Sequence, residues 1–400
     1  MRPVSRMWLN TMAAIVCLLS VFIPWAESAN ARSSDFVSHY AAGQMVRQDP
    51  HELYSLAVQR RYQAALGSRK FLPWVHPAGE ALLFAALSEL GIERAFRVWE
   101  TLNVAALCGI AFMLRRYLGD LTGTQLGAVF AAGLIPLGGG LAAGQDHILC
   151  LLLYCWMFLL IEDERDALAG CVFGLAFVRF QLAIPVLIFF VVMRRWRVVA
   201  GAAVTVTVMI AASFALVGRG LIASYRGAME YLATLHDAAS VTHMPSVRGL
   251  MAFVVRNPRE LAMVTAAVSI VLLAMGAVAW RRTDGRRFDL LFASALLLAL
   301  AVDYHSFLYE MSVVVLAGVL VVRRRPAFAG MLWAMGAAEA VVVALGGRFA
   351  LVAPLLVGAA AWAMWEAQTP EAQGPETQEA PDGECRPGNG SVCVEPATER

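Results

Sequence analysis

Charged side chains are scarce in this 400-residue chain. Asp, Glu, Lys and Arg make up only 16% of it, and 59% is hydrophobic, whereas about a quarter of a soluble protein is charged. With a mean hydropathy of +0.63 and repeated apolar runs of about 20 residues, this excludes a soluble globular chain and points to an all-α polytopic membrane protein. Excess charge of one sign is missing as well. The net charge of +2 gives no general attraction to nucleic acid. Nucleotide-binding motifs are absent: Gly138-Gly139-Gly140 and Gly144 are not followed by Lys-Ser or Lys-Thr, so they form no phosphate-cradling loop. They read instead as the frayed end of a helix. The seven cysteines show no metal-binding spacing. Cys17, Cys108, Cys150, Cys155 and Cys171 sit in apolar runs and read as small buried hydrophobes. Cys385 and Cys393 lie in a polar tail, where a disulfide requires an oxidising compartment.

Residues 1–25 open with Arg2 and Arg6 and continue as an apolar run from Met7 to Trp25. Ala29-Asn30-Ala31 offers a signal-peptide cleavage site, but the run reaches spanning length, which favours an uncleaved first helix. The positive charge before it sets the N-terminus in the cytoplasm. Residues 26–96 are polar and aromatic and read as a long extracytoplasmic loop. Gln44 to Leu66 suits helices lying on the membrane surface, and Ala81 to Leu90 a helix that dips without spanning. Spanning candidates follow at 97–114, 121–142, 147–161, 198–217, 259–280, 288–304, 306–322, 327–345 and 349–365. Two half-crossings, 167–178 and 182–193, are separated by Arg179-Phe180-Gln181. The expected architecture is thus a bundle of about 11–12 transmembrane segments over 1–365. The Pro-, Glu- and Gly-rich tail from 366 to 400 reads as disordered and cytoplasmic.

Arg115-Arg116, Arg194-Arg195-Trp196-Arg197, Arg281-Arg282 with Arg286-Arg287, and Arg323-Arg324-Arg325 are the short basic connectors. In this arrangement all four fall on the cytoplasmic side, as the positive-inside rule requires. All seven histidines then fall on the outer face or its membrane edge, as do Asp35, Asp146 and Asp303. Polar residues recurring at outer helix ends, in Gln145-Asp146-His147, Arg179-Phe180-Gln181 and Asp303-Tyr304-His305, point to one extracytoplasmic cavity.

The centre of that cavity is read as Asp35, in Ser33-Ser34-Asp35-Phe36-Val37-Ser38-His39-Tyr40. Asp is a favoured N-cap residue, so capping the next helix is its plainest use. A carboxylate at the lip of a membrane is also placed to deprotonate a hydroxyl. An outer site has no ready supply of nucleotide sugars, so a transferase there takes its group from a lipid phosphate. Cations must stabilise the leaving phosphate, and Arg179, Arg248 or Arg219 could serve. Arg179 stands out because it interrupts an apolar stretch, where an idle charge costs about 2.5–3.5 kcal/mol.

Several motifs together resemble one family. Ser-Asp35-Phe-x-x-x-Tyr-Ala-Ala-Gly, His76-Pro77 before Ala81-Leu82-Leu83-Phe84, Trp99-Glu-Thr-Leu-Asn103, Gly144-Gln145-Asp146-His147 and Asp303-Tyr304-His305-Ser306-Phe307-Leu308-Tyr309-Glu310 are similar to the polyprenyl-phosphate-sugar-dependent glycosyltransferases of family 87. That family has the GT-C fold. The resemblance implies a multi-pass enzyme of the bacterial cytoplasmic membrane with both termini cytoplasmic. It would move a hexose, mannose or a relative, from a polyprenyl phosphate to a lipid or glycan acceptor, with inversion. Asp35 would be the base, and Arg179 and Arg248 would hold the donor phosphate. His39, Tyr40, His76, Gln145, Asp146, His147, Gln181, Asp303 and His305 would line the substrate site. No cofactor is expected, and a divalent metal is not indicated because no second acidic residue adjoins Asp35. The chain departs from the family at His76-Pro77-Ala78 (usually Tyr-Pro-Pro), Asp146 (Asn), Arg179-Phe180 (Lys-Pro) and Met244-Pro245-Ser246-Val247 (an Asn-Gln-Ser-Leu-like stretch). These changes bear on which sugar and acceptor are used. Broken helices and intramembrane charge also suit a transporter or flippase of lipid-linked sugars, although no inverted repeat is found. A non-catalytic partner in envelope assembly is the third reading.

Overall fold

The computed structural model describes residues 31–235, 238–283 and 287–369, and every regular element among them is helical. The first apolar run, most of the proposed cleavage site, His236, and the tail with Cys385 and Cys393 lie outside the described residues.

The first loop folds as a cap with its own core. It contains α1 (Phe36–Gln48), α2 (Leu56–Ala65) and α3 (Ala78–Leu87). Nearly every residue of α1 from Phe36 to Val46 is buried, so α1 is a core helix, and of the stretch expected to lie on the surface it takes in only Gln44 to Gln48. A Cβ on Gly43 would stand 2.3 Å from the Phe84 carbonyl oxygen, so α1 and α3 cross with their backbones in contact. Between α2 and α3 the chain runs extended, and two buried glutamines satisfy its backbone. Gln59 bonds Trp74 N and O at 2.8 and 3.1 Å, and Gln63 bonds Leu72 N and O at 2.9 and 2.6 Å. Tyr54 Oη donates to the His76 carbonyl at 2.7 Å. Trp74 and His76 are held in register this way.

The bundle begins at α4 (Ile92–Met113), five residues earlier than the expected span, which shortens the first loop to Gly91. After the short α5 (Arg115–Gly119) come α6 (Gly123–Ala143) and α7 (His147–Glu162). A capping box starts α6: Gln125 Oε1 accepts from Thr122 N at 2.7 Å while Thr122 Oγ1 accepts from Gln125 N. Next come α8 (Asp166–Leu175), a 3₁₀ turn at Ala176–Arg179, and α9 (Phe180–Val192). By length and composition 166–192 is one of seven segments among the described residues able to cross a membrane. Its contacts show that it turns back. Arg195 pairs with Asp166 at 3.2 Å, so the two ends of the segment meet. The next helix, α10 (Trp196–Val217), then runs parallel to α8, with Gly201 against Ala167 and Thr205 bonded to the Cys171 carbonyl. The expected pair of half-crossings is a hairpin with Arg179 at its tip.

The chain continues through α11 (Leu221–Leu235), the short α12 (Ala238–Val241) and α13 (Val247–Met251), α14 (Pro258–Arg281) and α15 (Phe288–Val302). A 3₁₀ segment at Leu308–Val313 leads into α16 (Val314–Arg324), followed by α17 (Ala329–Ala344) and α18 (Ala353–Gln368). Val302, Leu316 and Phe292 lie in one large apolar core that α15 crosses buried on every side. Outward-facing Met263, Ile270 and Met275 of α14 suit contact with lipid chains. Cys150 and Cys155 are buried as expected, but Cys108 is exposed on the bundle surface.

The basic connectors gather at one end. Arg116 pairs with Glu162, Arg323 with Asp120, Arg324 with Asp289, Arg325 with Glu366, and Arg195 stacks on Phe288. Asp35, Gln145, Arg179 and Glu310 meet at the other. At 16 and 15 residues, α7 and α15 are about 24 and 22 Å long, and the hairpin helices α8 and α9, at 10 and 13 residues, about 15 and 20 Å. A hydrocarbon core is about 30 Å thick.

Candidate active site

Asp35 occupies the N-cap position of α1 but makes no side-chain cap bond. Its carboxylate turns instead to the bundle, where Oδ2 accepts from Gln145 Nε2 at 2.7 Å. The far side of that contact depends on Gly144, which ends α6 with φ of +69°. A Cβ there would lie 2.7 Å from Phe36 and 2.8 Å from Phe96, and Trp99 Nε1 donates to the Gly144 carbonyl at 3.0 Å. Only glycine meets both demands easily. The turn delivers Gln145 and Asp146 side by side beneath the cap.

Arg179 enters from the hairpin tip. Its Nε donates to Asp146 Oδ1 at 2.9 Å, its Nη2 to that same oxygen and to Gln145 Oε1 at 2.5 Å, and its Nη1 to Glu310 Oε1 at 3.0 Å. Glu310 Oε2 in turn accepts from Phe307 N at 2.5 Å, so one carboxylate ties the arginine to the turn before α16. A guanidinium has five N–H groups. Four are engaged here, which leaves Arg179 a single donor for a ligand and two carboxylates against its charge.

These side chains border a cavity of about 370 Å³, within the range of small-molecule sites. Its polar wall includes Asp35, Ser38, His39, His76, Gln145, Arg179, Gln181 and His305, with Tyr309 beside them; Leu72, Val75, Val178, Phe180, Leu232 and Leu235 form a greasy side. Burial raises the Asp35 carboxyl above the ordinary carboxylate range, opposed by the Gln145 hydrogen bond and by the charges of Arg179 and Lys70. Burial lowers His39 to about 4, helped by His76, and lowers His76 to about 3, helped by Arg179. Both imidazoles are neutral at pH 7.

Seven of the twelve residues picked out from the sequence line this cavity: Asp35, His39, His76, Gln145, Arg179, Gln181 and His305. The other five stand elsewhere. Asp146 lies behind Arg179 and binds it. The Tyr40 hydroxyl turns away to the Leu90 and Ser88 carbonyls at 2.5 and 3.3 Å. His147 fills a notch at Gly140, whose Cβ would meet its ring at 2.0 Å. Asp303 accepts from His305 N at 2.8 Å and shapes that turn. Arg248 donates to the Tyr304 carbonyl at 2.9 Å and lies 3.9 Å over the Tyr304 ring. Sequence reasoning missed Glu80, which accepts from or donates to His76 Nδ1 at 3.0 Å, and the roles of Glu310 and Tyr309. An acid in an apolar stretch four residues after His76 was the available signal for Glu80.

A model described as glycosyltransferase family 87 matches residues 74–309. The match takes in His76, Glu80, Asp146 and Arg179 and leaves Asp35 outside. Comparison with curated proteins and with solved structures returns no match.

Proposed function

From the premise that this chain belongs to glycosyltransferase family 87, matched over more than half its length, we propose that its cavity transfers a hexose, mannose or a close relative, from a polyprenyl phosphate to a lipid or glycan acceptor. The family makes it a membrane glycosyltransferase; donor, sugar and base are our reading. In that reading the basic end faces the cytoplasm by the positive-inside rule, and the cavity opens on the extracytoplasmic side of a bacterial cytoplasmic membrane.

The observation that carries the proposal is the placement of Asp35. A half-buried carboxylate, held by Gln145 and raised above its usual range, lines a cavity that also has a guanidinium and a greasy side. The reaction follows from those groups. Asp35 takes the acceptor hydroxyl proton as the acceptor oxygen bonds to the anomeric carbon. The bond from that carbon to the phosphate oxygen breaks, and its electron pair leaves with the polyprenyl phosphate. Attack from the face opposite the leaving group inverts the anomeric centre. Leu72, Val178, Leu232 and Leu235 suit the first isoprene units, and Gln145, Gln181, His76 and His305 suit the sugar hydroxyls. Tyr40, Asp146, His147, Asp303 and Arg248 act through the residues they position.

Asp35→Asn tests this. In lipid nanodiscs, with polyprenyl-phosphate mannose as the first donor, transfer falls about 10²–10⁴-fold, the usual contribution of a general base, while the thermal midpoint is retained. A variant that transfers as fast as the parent would remove Asp35 from the mechanism. Mass spectrometry of envelope glycolipids from a deletion strain names the product through a missing sugar.

A further inference from the structure

We propose that His76, Glu80 and Asp146 bind a divalent cation, of the Mn²⁺ class, in the wall of the cavity behind His76. One ligand atom from each of the three residues lies within 4.8 Å of the other two. His76 and Glu80 are an i,i+4 pair at the start of α3, and the Gly144 turn brings Asp146 to them from the bundle.

The second observation is the state of the oxygens. Glu80 Oε1 and Asp146 Oδ2 are buried without a protein hydrogen-bond partner, and both side chains are 1% exposed. His39 Nδ1 is likewise unpartnered and faces Glu80 Oε1 at 3.7 Å. Buried polar groups of this kind are rare in native proteins and call for a specific partner. Charge gives the same indication. The carboxylates of Asp35, Glu80, Asp146 and Glu310 cluster about one guanidinium, that of Arg179. Two carboxylates as close as Glu80 and Asp146 need either a shared proton or a cation between them. A shared proton accounts for the pair, with His76 Nδ1 bonded to Glu80 Oε2 at 3.0 Å, but it gives Glu80 Oε1 and His39 Nδ1 no partner. A metal uses all three ligand residues. One neutral imidazole with two carboxylates suits Mn²⁺ or Zn²⁺ better than Mg²⁺, which prefers an all-oxygen shell.

The use of such an ion rests on the glycosyl-transfer reading; its binding does not. A leaving phosphate develops negative charge, yet Arg179 is balanced by two carboxylates and offers one remaining N–H. A divalent ion against the same wall supplies the missing positive charge.

The test is made on full-length protein in nanodiscs, stripped with chelator and then titrated with Mn²⁺, Zn²⁺, Mg²⁺ or Ca²⁺. Elemental analysis and the Mn²⁺ paramagnetic resonance signal report binding, and thermal midpoints report its effect on stability. The expected result is one Mn²⁺ per chain and a midpoint that rises with Mn²⁺, both lost in Glu80→Gln and in His76→Ala. Asp35→Asn keeps the ion, so loss of transfer there and loss of metal at Glu80 are separate outcomes. Absence of stoichiometric metal in the parent, or full retention in Glu80→Gln, overturns the site. A metal-free Glu80→Gln protein that melts at or above the metal-free parent, with no ion bound by the parent, identifies the shared proton instead.

Discussion

Gln145→Leu separates the base from its support without touching the base. In the parent, Gln145 donates to Asp35 at 2.7 Å and accepts from Arg179 at 2.5 Å. A hydrogen bond to a charged partner contributes about 1.5–3 kcal/mol. Because the contact is only part-buried, we take the lower end, about 1.5 kcal/mol, which is about one pKa unit. The sign follows from which form is bonded. The amide N–H favours ionised Asp35, so removing it raises a pKa that burial has already raised. The charged groups near Asp35 that remain, Arg179 and Lys70, still favour the anion and limit the rise. His39 and His76, held near 4 and 3, stay neutral from pH 5 to 8 and add no limb there. A general base works ionised, so the parent rate climbs with pH through the Asp35 midpoint and then levels. In Gln145→Leu that limb moves up by about one pH unit. Below both midpoints the rate falls about tenfold, and above both it returns toward the parent value. The assay is kcat/KM for sugar transfer against pH, with donor saturation measured at each point because Arg179 also loses a partner. A uniform fall at every pH, with the limb where it was, would refute Asp35 as the titrating base.

Two further substitutions probe the frame around it. Gly144→Ala forces a left-handed backbone costing about 1 kcal/mol and sets a Cβ into Phe36 and Phe96, adding about 1–3 kcal/mol of overpacking; the thermal midpoint drops and transfer drops with it, and an unmoved midpoint would contradict the packing described. Arg179→Lys keeps the charge but loses the fork that holds Asp146, Gln145 and Glu310 together. Transfer is expected to fall at least about tenfold, with a higher KM for the donor, and parent-like kinetics would show that the fork is dispensable.

The parts of the site legible in the sequence were those where polar residues interrupt apolar text. Arg179 in the middle of a hydrophobic stretch, Gln145-Asp146 at a helix start, and Asp35 after the first apolar run all violate the local composition. Short basic connectors gave the bundle its polarity, and the structure gathers them at one end. What stayed hidden was direction. Tyr40 and Arg248 carry the right chemistry, but their side chains point at backbone carbonyls away from the cavity. Glu80 sits among Ala, Leu and Phe and reads as a defect in a short helix until α3 is folded against His76. That Asp146 and Glu310 share one arginine depends on residues 131 positions apart, a pairing no local pattern encodes. The extended segment carrying His76 was equally obscure, because the side chains that hold it, Gln59 and Gln63, lie on a helix whose exposed residues suggest a surface role.

Because Asp166 and Arg195 return to the same end of the bundle, the segment between them is topologically silent. Lengthening it, trimming it or exchanging its tip leaves every later helix threaded in its original sense. Arg179 thus rides on the tip of a hairpin, while Asp35 opposite belongs to the cap. Changes to the tip, between residues 176 and 181, alter one wall of the cavity without changing the direction of the helices that follow.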